Sequence, residues 1–243
     1  MPKQKLPNCA HCPLSREERI CLNAQGRAFK GCPSVNQARL IEEANQRYNS
    51  PEYSEFTRQA SIQEAQGYGG REIEPFVLHP VKTRIEEIIE FAGKMKYRRL
   101  GLAFCVGLAR EAAVAADLFE SRGFEVVSVI CKVGSVPKEQ IGLAHEQKIR
   151  IGKYEPMCNP ISQAMILNQA GSEFNILLGL CVGHDSLFFK QADAPCTVLA
   201  VKDRVTGHNP LAAVYLIESY YARLKKTERI VKQKRPGAGK RKK

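Results

Sequence analysis

Four segments of this chain are apolar along nearly their whole length: residues 99–105, 124–131, 174–181 and 197–202. A strand with one wet face alternates apolar and polar residues. A strand without that alternation is buried on both faces, as in a parallel sheet covered by helices on each side. The intervening stretches read as helices: 108–122 (alanine-rich, stopped by Gly123), 160–170 (opened by Asn159-Pro160), 184–191 and 210–224. A further amphipathic helix, 81–96, precedes the first strand, with Ile85, Ile88, Ile89 and Ala92 at helical spacing. Residues 132–157 look irregular, partly helical near 140–145. The pattern predicts an α/β fold: a small, parallel, Rossmann-like sheet of about four strands over residues 80–224, with helices on both faces.

Three of these strands end alike, in Cys105-Val-Gly107, Cys131-Lys-Val-Gly134 and Cys181-Val-Gly183. In an open parallel sheet all carboxyl ends lie on one edge, where ligands bind, so these cysteines are expected on one rim. Glycine after each allows a tight turn or a close approach of backbone to a ligand. Cys158, just before Asn159-Pro160, falls on the same edge. Thiolates are stabilised near helix N-termini, and four soft thiolates suit an iron–sulfur cluster or zinc rather than magnesium or calcium. Cys196 lacks the following glycine and reads as a small apolar residue. Catalytic candidates on the same edge are His184, His208, Asp203 and Arg204; histidine titrates near neutrality and ligates metals. Arg204 or Lys202 offers a charge for an anionic substrate. Asp185 and Asn209 read equally well as helix caps. No Gly-x-Gly-x-x-Gly or Walker-type loop is present, so nucleotide binding has no direct support.

Residues 1–33 are polar, punctuated by Pro and Gly, and show neither helical nor strand period. They contain Cys9-x2-Cys12-x8-Cys21-x10-Cys32-Pro33, a four-thiolate metal pattern. Zinc sites more often show a second close pair; the wide spacing and the final Cys-Pro lean towards a 4Fe–4S cluster. His11 is a substitute ligand. A dithiol redox pair at Cys9 and Cys12 lacks the βαβ context such pairs have. Two helices follow: 34–48 with Ser34 as N-cap, and 51–66 with Pro51 in its first turn, ended by Gly67-Tyr68-Gly69-Gly70. The expected organisation is a cysteine-rich metal-binding segment plus helices (1–79), the α/β domain (80–224) and a basic tail (225–243).

The net charge of +12 sits in that tail. Residues 223–243 hold eleven Lys or Arg against Glu228, a net of +10, which leaves +2 for the rest. A basic nucleic-acid-binding face on the domain is therefore not expected, and a solvated tail is favoured over a nucleic-acid-binding one. No apolar run approaches the ~20 residues that span a bilayer, and the first residues carry no apolar stretch of signal-peptide type. A cytoplasmic location with no membrane partner is expected. Nine cysteines in a reducing compartment then speak for metal or thiol chemistry rather than a disulfide framework.

The opening Cys-x-x-Cys…Cys…Cys-Pro, with Cys105-Val-Gly, Met157-Cys158-Asn-Pro, Gly179-Leu-Cys181-Val-Gly-His-Asp-Ser and Val201-Lys-Asp-Arg-Val-Thr-Gly-His-Asn-Pro210, resembles an uncharacterised prokaryotic domain-of-unknown-function family of cysteine-rich proteins described as metal-binding. The resemblance reaches to about residue 224 and omits the tail. It implies a metal-type cysteine pattern and no particular reaction. Two function classes follow. One is a metalloenzyme with redox or sulfur-transfer chemistry at the rim, acting on a small-molecule substrate or redox partner, with the N-terminal site structural or electron-relaying. The other is a non-catalytic module that senses, stores or delivers a metal or cluster. Deleting residues 225–243 is expected to leave melting temperature and metal content unchanged, because so charged and apolar-poor a segment cannot pack. A large fall in melting temperature on truncation would contradict this.

Overall fold

Strands β3 (Arg99–Phe104), β4 (Glu125–Ile130), β5 (Phe174–Leu178) and β6 (Cys196–Ala200) form one parallel sheet in the order β4-β3-β5-β6. The computed structural model describes residues 6–225, and its chain divides into two units, 1–95 and 96–243. The sheet belongs to the second, together with helices α5 (Ala109–Ser121), α6 (Pro160–Gln169), α7 (His184–Gln191) and the short α8 (Leu211–Tyr215). The chain steps outward from β3 to β4, then returns past β3 to β5 and on to β6. That reversal makes the β3/β5 boundary a topological switch point, and right-handed crossovers place α5 on one face and α6 and α7 on the other.

The two faces are packed as the apolar strands require. On one, Ala103, Val129 and Leu177 meet Ala164 and Leu167 of α6 and Phe188 of α7. On the other point Leu100, Leu102 and Ile176, all fully buried, and α5 buries Ala112, Ala115 and Phe119. Two polar side chains in this interior are anchored by hydrogen bonds. Asn175, fully buried, accepts the Ser172 hydroxyl at 2.8 Å. Gln163 of α6 donates its side-chain amide to Phe104 O (3.2 Å) and Val129 O (2.7 Å), at the carboxyl ends of β3 and β4.

In the first unit α1 (Pro33–Asn36) and α2 (Ala38–Tyr48) precede α3 (Ser54–Gln66), a two-residue antiparallel pair β1 (Tyr68–Gly69) and β2 (His79–Pro80), and α4 (Arg84–Lys94). Phe56 of α3 and Phe91 of α4 meet edge to face at 5.1 Å. Glu90 accepts Lys82 (2.5 Å) and Gln63 (2.9 Å) beside them. The Glu86 carboxylate takes the Thr83 N–H at 2.7 Å, capping α4.

Several element bounds differ from the sequence reading. The helix expected over 34–48 starts at Pro33, with Cys32 rather than Ser34 as its cap, and breaks at Gln37. The Asn36 side chain donates to Lys30 O at 2.9 Å, a local bond that competes with helix continuation, and neither half buries a residue. The second helix begins at Ser54; residues 51–53 form a separate turn closed on Ser50 O. The closing helix is shorter than 210–224. It stops at Tyr215, because Val214, Tyr215, Tyr220 and Leu224 are exposed and no packed face sustains it. Of the basic tail, all but Lys225 lies outside the described residues.

Gly101 lies in the middle of β3. A Cβ there would stand 2.1 Å from Asn175 Oδ1 and 3.0 Å from Leu167 Cδ1. Gly101→Ala is expected to cost about 1–3 kcal/mol through overpacking, read as a lower denaturation midpoint. An unchanged midpoint would show that the β3–α6 interface gives way freely.

Candidate functional site

Each rim cysteine is placed by the backbone just past a strand end. Cys105 donates its N–H to Leu178 O (3.0 Å), and Cys131 donates to Phe104 O (2.8 Å), so these two residues extend the sheet by one hydrogen bond each. Cys105 and Cys131 share strand parity with Ala103 and Val129 and join the same packed cluster on the α6 side. Cys158 immediately precedes Asn159, whose side chain accepts Ser162 N–H (3.2 Å) and caps α6. Cys181 O accepts the N–H groups of His184 and Asp185 (3.0 and 3.1 Å) at the start of α7. That turn requires Gly183 at φ +85°.

All four cysteines line a single cavity of about 340 Å³. Lys132, Lys138, His184 and Arg204 line it too, and the irregular segment 132–157 contributes an apolar wall of Ile141, Leu143, Ile149 and Met157. No Asp or Glu is among the lining residues. Lys138 is paired with Glu155 (2.5 Å), whereas Lys132 donates to Pro156 O (2.7 Å) and stands beside Cys158. Arg204 Nη2 donates to Cys181 Sγ at 3.2 Å. The Lys202 ammonium sits beside Cys105, over the strand-end glycines: a Cβ on Gly107 or Gly179 would stand 3.6 Å from its Nζ.

Three sulfurs form a contiguous group. Cys131 Sγ lies 4.0 Å from Cys158 Sγ and accepts the Val106 N–H at 3.3 Å. Its thiol hydrogen-bonds to Cys105 and Cys158, which raises the Cys131 pKa far above the ordinary thiol range. The flanking pair responds oppositely. Cys105 is pulled down to about 5 by the Cys131 hydrogen bond, against burial, with help from the Gly107 N–H and Lys202. Cys158 is pulled down to about 5 by Cys131, again against burial, with help from Lys132 and His184. Cys131 therefore keeps its proton while its neighbours ionise. His184 Nδ1 is buried without a hydrogen-bond partner among the described residues.

The remaining candidates lie elsewhere in the loop after β6. His208, at φ +68°, holds Nδ1 at 3.1 Å from both Asp203 N and Val201 O. Asp203 Oδ1 accepts the N–H groups of Val205 (2.9 Å) and Thr206 (3.1 Å). Both side chains shape the loop that presents Arg204, and neither lines the cavity. Lys132 and Lys138 do line it and carry no sequence motif; only the position of Lys132 next to Cys131 hints at its place. Asp185 is not the cap of α7, a place Gly183 holds; from the helix's first turn it accepts Gly183 N–H (2.9 Å) and Ser186 N–H (2.7 Å).

In the first unit Cys9, Cys12, Cys21 and Cys32 line one small cavity of about 60 Å³ with Arg19, Ile20, Arg27 and Phe29. Cys9 opens a single 3-10 turn that closes with Cys12 N–H on Cys9 O (3.2 Å). His11 is turned to Asn8 Oδ1 (2.8 Å) and is not part of the lining. Among the described residues, no group of three or more His, Cys, Asp or Glu side chains stands close enough together to hold a metal ion. The donor chemistry nevertheless suits a soft metal in both places, with four cysteines lining each cavity and no carboxylate lining either.

A family model described as "Protein of unknown function (DUF1847)" matches residues 32–199. The matched stretch contains every rim cysteine and Cys32, and leaves out Cys9, Cys12 and Cys21. A protein of Methanocaldococcus jannaschii, "Uncharacterized protein MJ0455", is 51% identical over 134 residues, which is 55% of this chain and 67% of that relative.

The lowered pKa of Cys158 has a measurable sign. Its thiolate is populated above about pH 5 and lost below it, so the stability it contributes is complete above the unfolded thiol value and vanishes as pH falls through about 5. Alkylation of Cys158 is expected to keep its rate from pH 8 down to about 5.5. A rate that already falls tenfold per unit below pH 8, as for an ordinary thiol, would contradict the assignment.

Proposed function

We propose for this chain, which belongs to the DUF1847 family, a soft-metal or iron–sulfur site at the β3/β5 switch point, serving redox or sulfur-transfer chemistry on a small substrate. The observation that carries this reading is the convergence of four cysteines, from four separate segments, on one cavity. The 4.0 Å separation of Cys131 and Cys158 supports it, since ligand sulfurs around one zinc lie about 4 Å apart at bonds of about 2.3 Å. Cys105, Cys131, Cys158 and Cys181 form the donor set. A bound metal or cluster would supply Lewis acidity or electron storage. Lys132, Lys202 and Arg204 offset the charge of ionised thiolates and favour anionic ligands. His184, beside Cys158, holds or moves a proton at the cavity wall. Segment 132–157 gives the cavity an apolar wall beside the sulfurs.

The second donor set, Cys9, Cys12, Cys21 and Cys32, serves a structural role in the same reading. Segment 9–32 buries only Cys32 among its apolar residues, so a thiolate-bound zinc or 4Fe–4S cluster would contribute folding free energy, on the order of 10 kcal/mol, that a core would otherwise provide.

Anaerobic purification with iron, zinc and sulfide analysis tests both sites. Stoichiometric metal is expected, with Cys105→Ser, Cys158→Ser and Cys181→Ser each removing the same fraction and its spectral signature. Cys12→Ser is expected to remove a different fraction. A full chain that stays metal-free after anaerobic reconstitution would overturn the reading. Loaded protein that turns over no thiol, disulfide or persulfide would favour storage or delivery over catalysis.

A further inference from the structure

Cys131 and Cys158 lie at the two ends of an excursion from the sheet. The main chains at these ends are fastened together: Asn159 N–H donates to Cys131 O at 2.8 Å, and Met157 N–H to Val136 O at 2.7 Å. The Lys132 ammonium bonds Pro156 O across the same junction at 2.7 Å, and Pro137 bridges Pro156. The two cysteines thus face each other across a backbone-pinned pair of segments, sulfurs 4.0 Å apart, and both line the cavity. A disulfide needs about 2.05 Å between sulfurs. Closing that gap asks for about 2 Å of sulfur movement between segments whose main chains are already joined.

We propose that Cys131 and Cys158 form a dithiol–disulfide couple, oxidised through the cavity by small anionic disulfides. The inference concerns the metal-free chain and stands apart from the metal reading. In the first step the Cys158 thiolate attacks one sulfur of the external disulfide, forming a mixed disulfide and expelling one thiolate, which takes up a proton from solvent. The Cys131 sulfur then attacks Cys158 Sγ and expels the second thiolate, which takes up the Cys131 proton. One thiolate and one thiol become one cystine, and the external disulfide gains the two electrons, one proton from Cys131 and one from solvent, leaving as two thiols. Selectivity for Cys158 as the point of entry comes from access: Cys158 is part-exposed, whereas Cys131 is 2% exposed. Selectivity for anionic disulfides comes from Lys132 and Arg204, which line the cavity among no acidic side chain. Cys105, buried at the end of β3, has no comparable backbone tie to Cys158 and is not the partner.

The experiment treats the full chain with a chelator, then with oxidised glutathione as the probe, blocks remaining thiols by alkylation and maps the peptides. The expected product is a bond between residues 131 and 158, abolished by dithiothreitol. Cys158→Ser is expected to reduce that linked peptide to background with Cys131 unmodified. Cys131→Ser is expected to trap glutathione on Cys158. Cystamine, a cationic disulfide, should give the same bond at least tenfold more slowly. The proposal is overturned if wild-type peptide maps show Cys131 joined to Cys105, or show Cys131 and Cys158 both alkylated after prolonged exposure. It is overturned equally if cystamine reacts as fast as oxidised glutathione. Because these readouts contain no metal, their failure would leave metal stoichiometry unaffected, and a metal-free protein would leave them intact.

Discussion

One buried amide holds the rim together. Gln163 is fully buried in α6, and its Nε2 bonds Phe104 O and Val129 O, one residue before Cys105 and two before Cys131. The same helix begins immediately after Cys158, at the Asn159 cap. A single side chain thereby fixes the relative positions of three sulfur-bearing segments that are distant in sequence. A buried amide that loses such partners costs about 1–3 kcal/mol, so the geometry is enforced by the expense of breaking it. The sulfurs meet where this one buried amide joins the two strand ends.

Hydrogen bonds centred on Cys131, helped by nearby charge, then decide which sulfurs ionise. The cavity gathers Lys132, Lys138 and Arg204, with Lys202 at the Cys105 end, and no carboxylate among its lining. Lys138 is already neutralised by Glu155, leaving Lys132, Lys202 and Arg204 to the thiols. Cys131, enclosed by two ionised neighbours, keeps its proton. The group is therefore graded rather than uniform: two nucleophilic sulfurs flank one that donates a hydrogen bond.

Much of this was legible in the sequence because it depends on periodicity and topology. Apolar strands without alternation demand a doubly covered parallel sheet, and parallel strands place Cys105, Cys131 and Cys181 on one edge whatever their order. What stayed hidden depends on pairing at a distance. Gln163 reads as an ordinary polar helix residue, since nothing local announces that its side chain faces two strand ends. Lys132 and Lys138 look like surface charges. Conversely, His208 and Asp203 look chemical by composition, yet their side chains are occupied in folding their own loop. The helix expected over 210–224 satisfies helical spacing, but spacing holds a helix only where a partner surface exists, and those residues stay exposed.

Segment 132–157 leaves the sheet and comes back to it at one junction, where Asn159 N–H bonds Cys131 O and Met157 N–H bonds Val136 O. Its ends are therefore fixed independently of its contents. Residues could be gained or lost along it without displacing either cysteine, since lengthening a loop whose ends are already joined adds little entropic cost. Yet its Ile141, Leu143, Ile149 and Met157 form the wall facing the sulfurs. The reactive edge and the surface that would choose what reaches it are thus separable in inheritance: evolution can rewrite the second while leaving the first untouched.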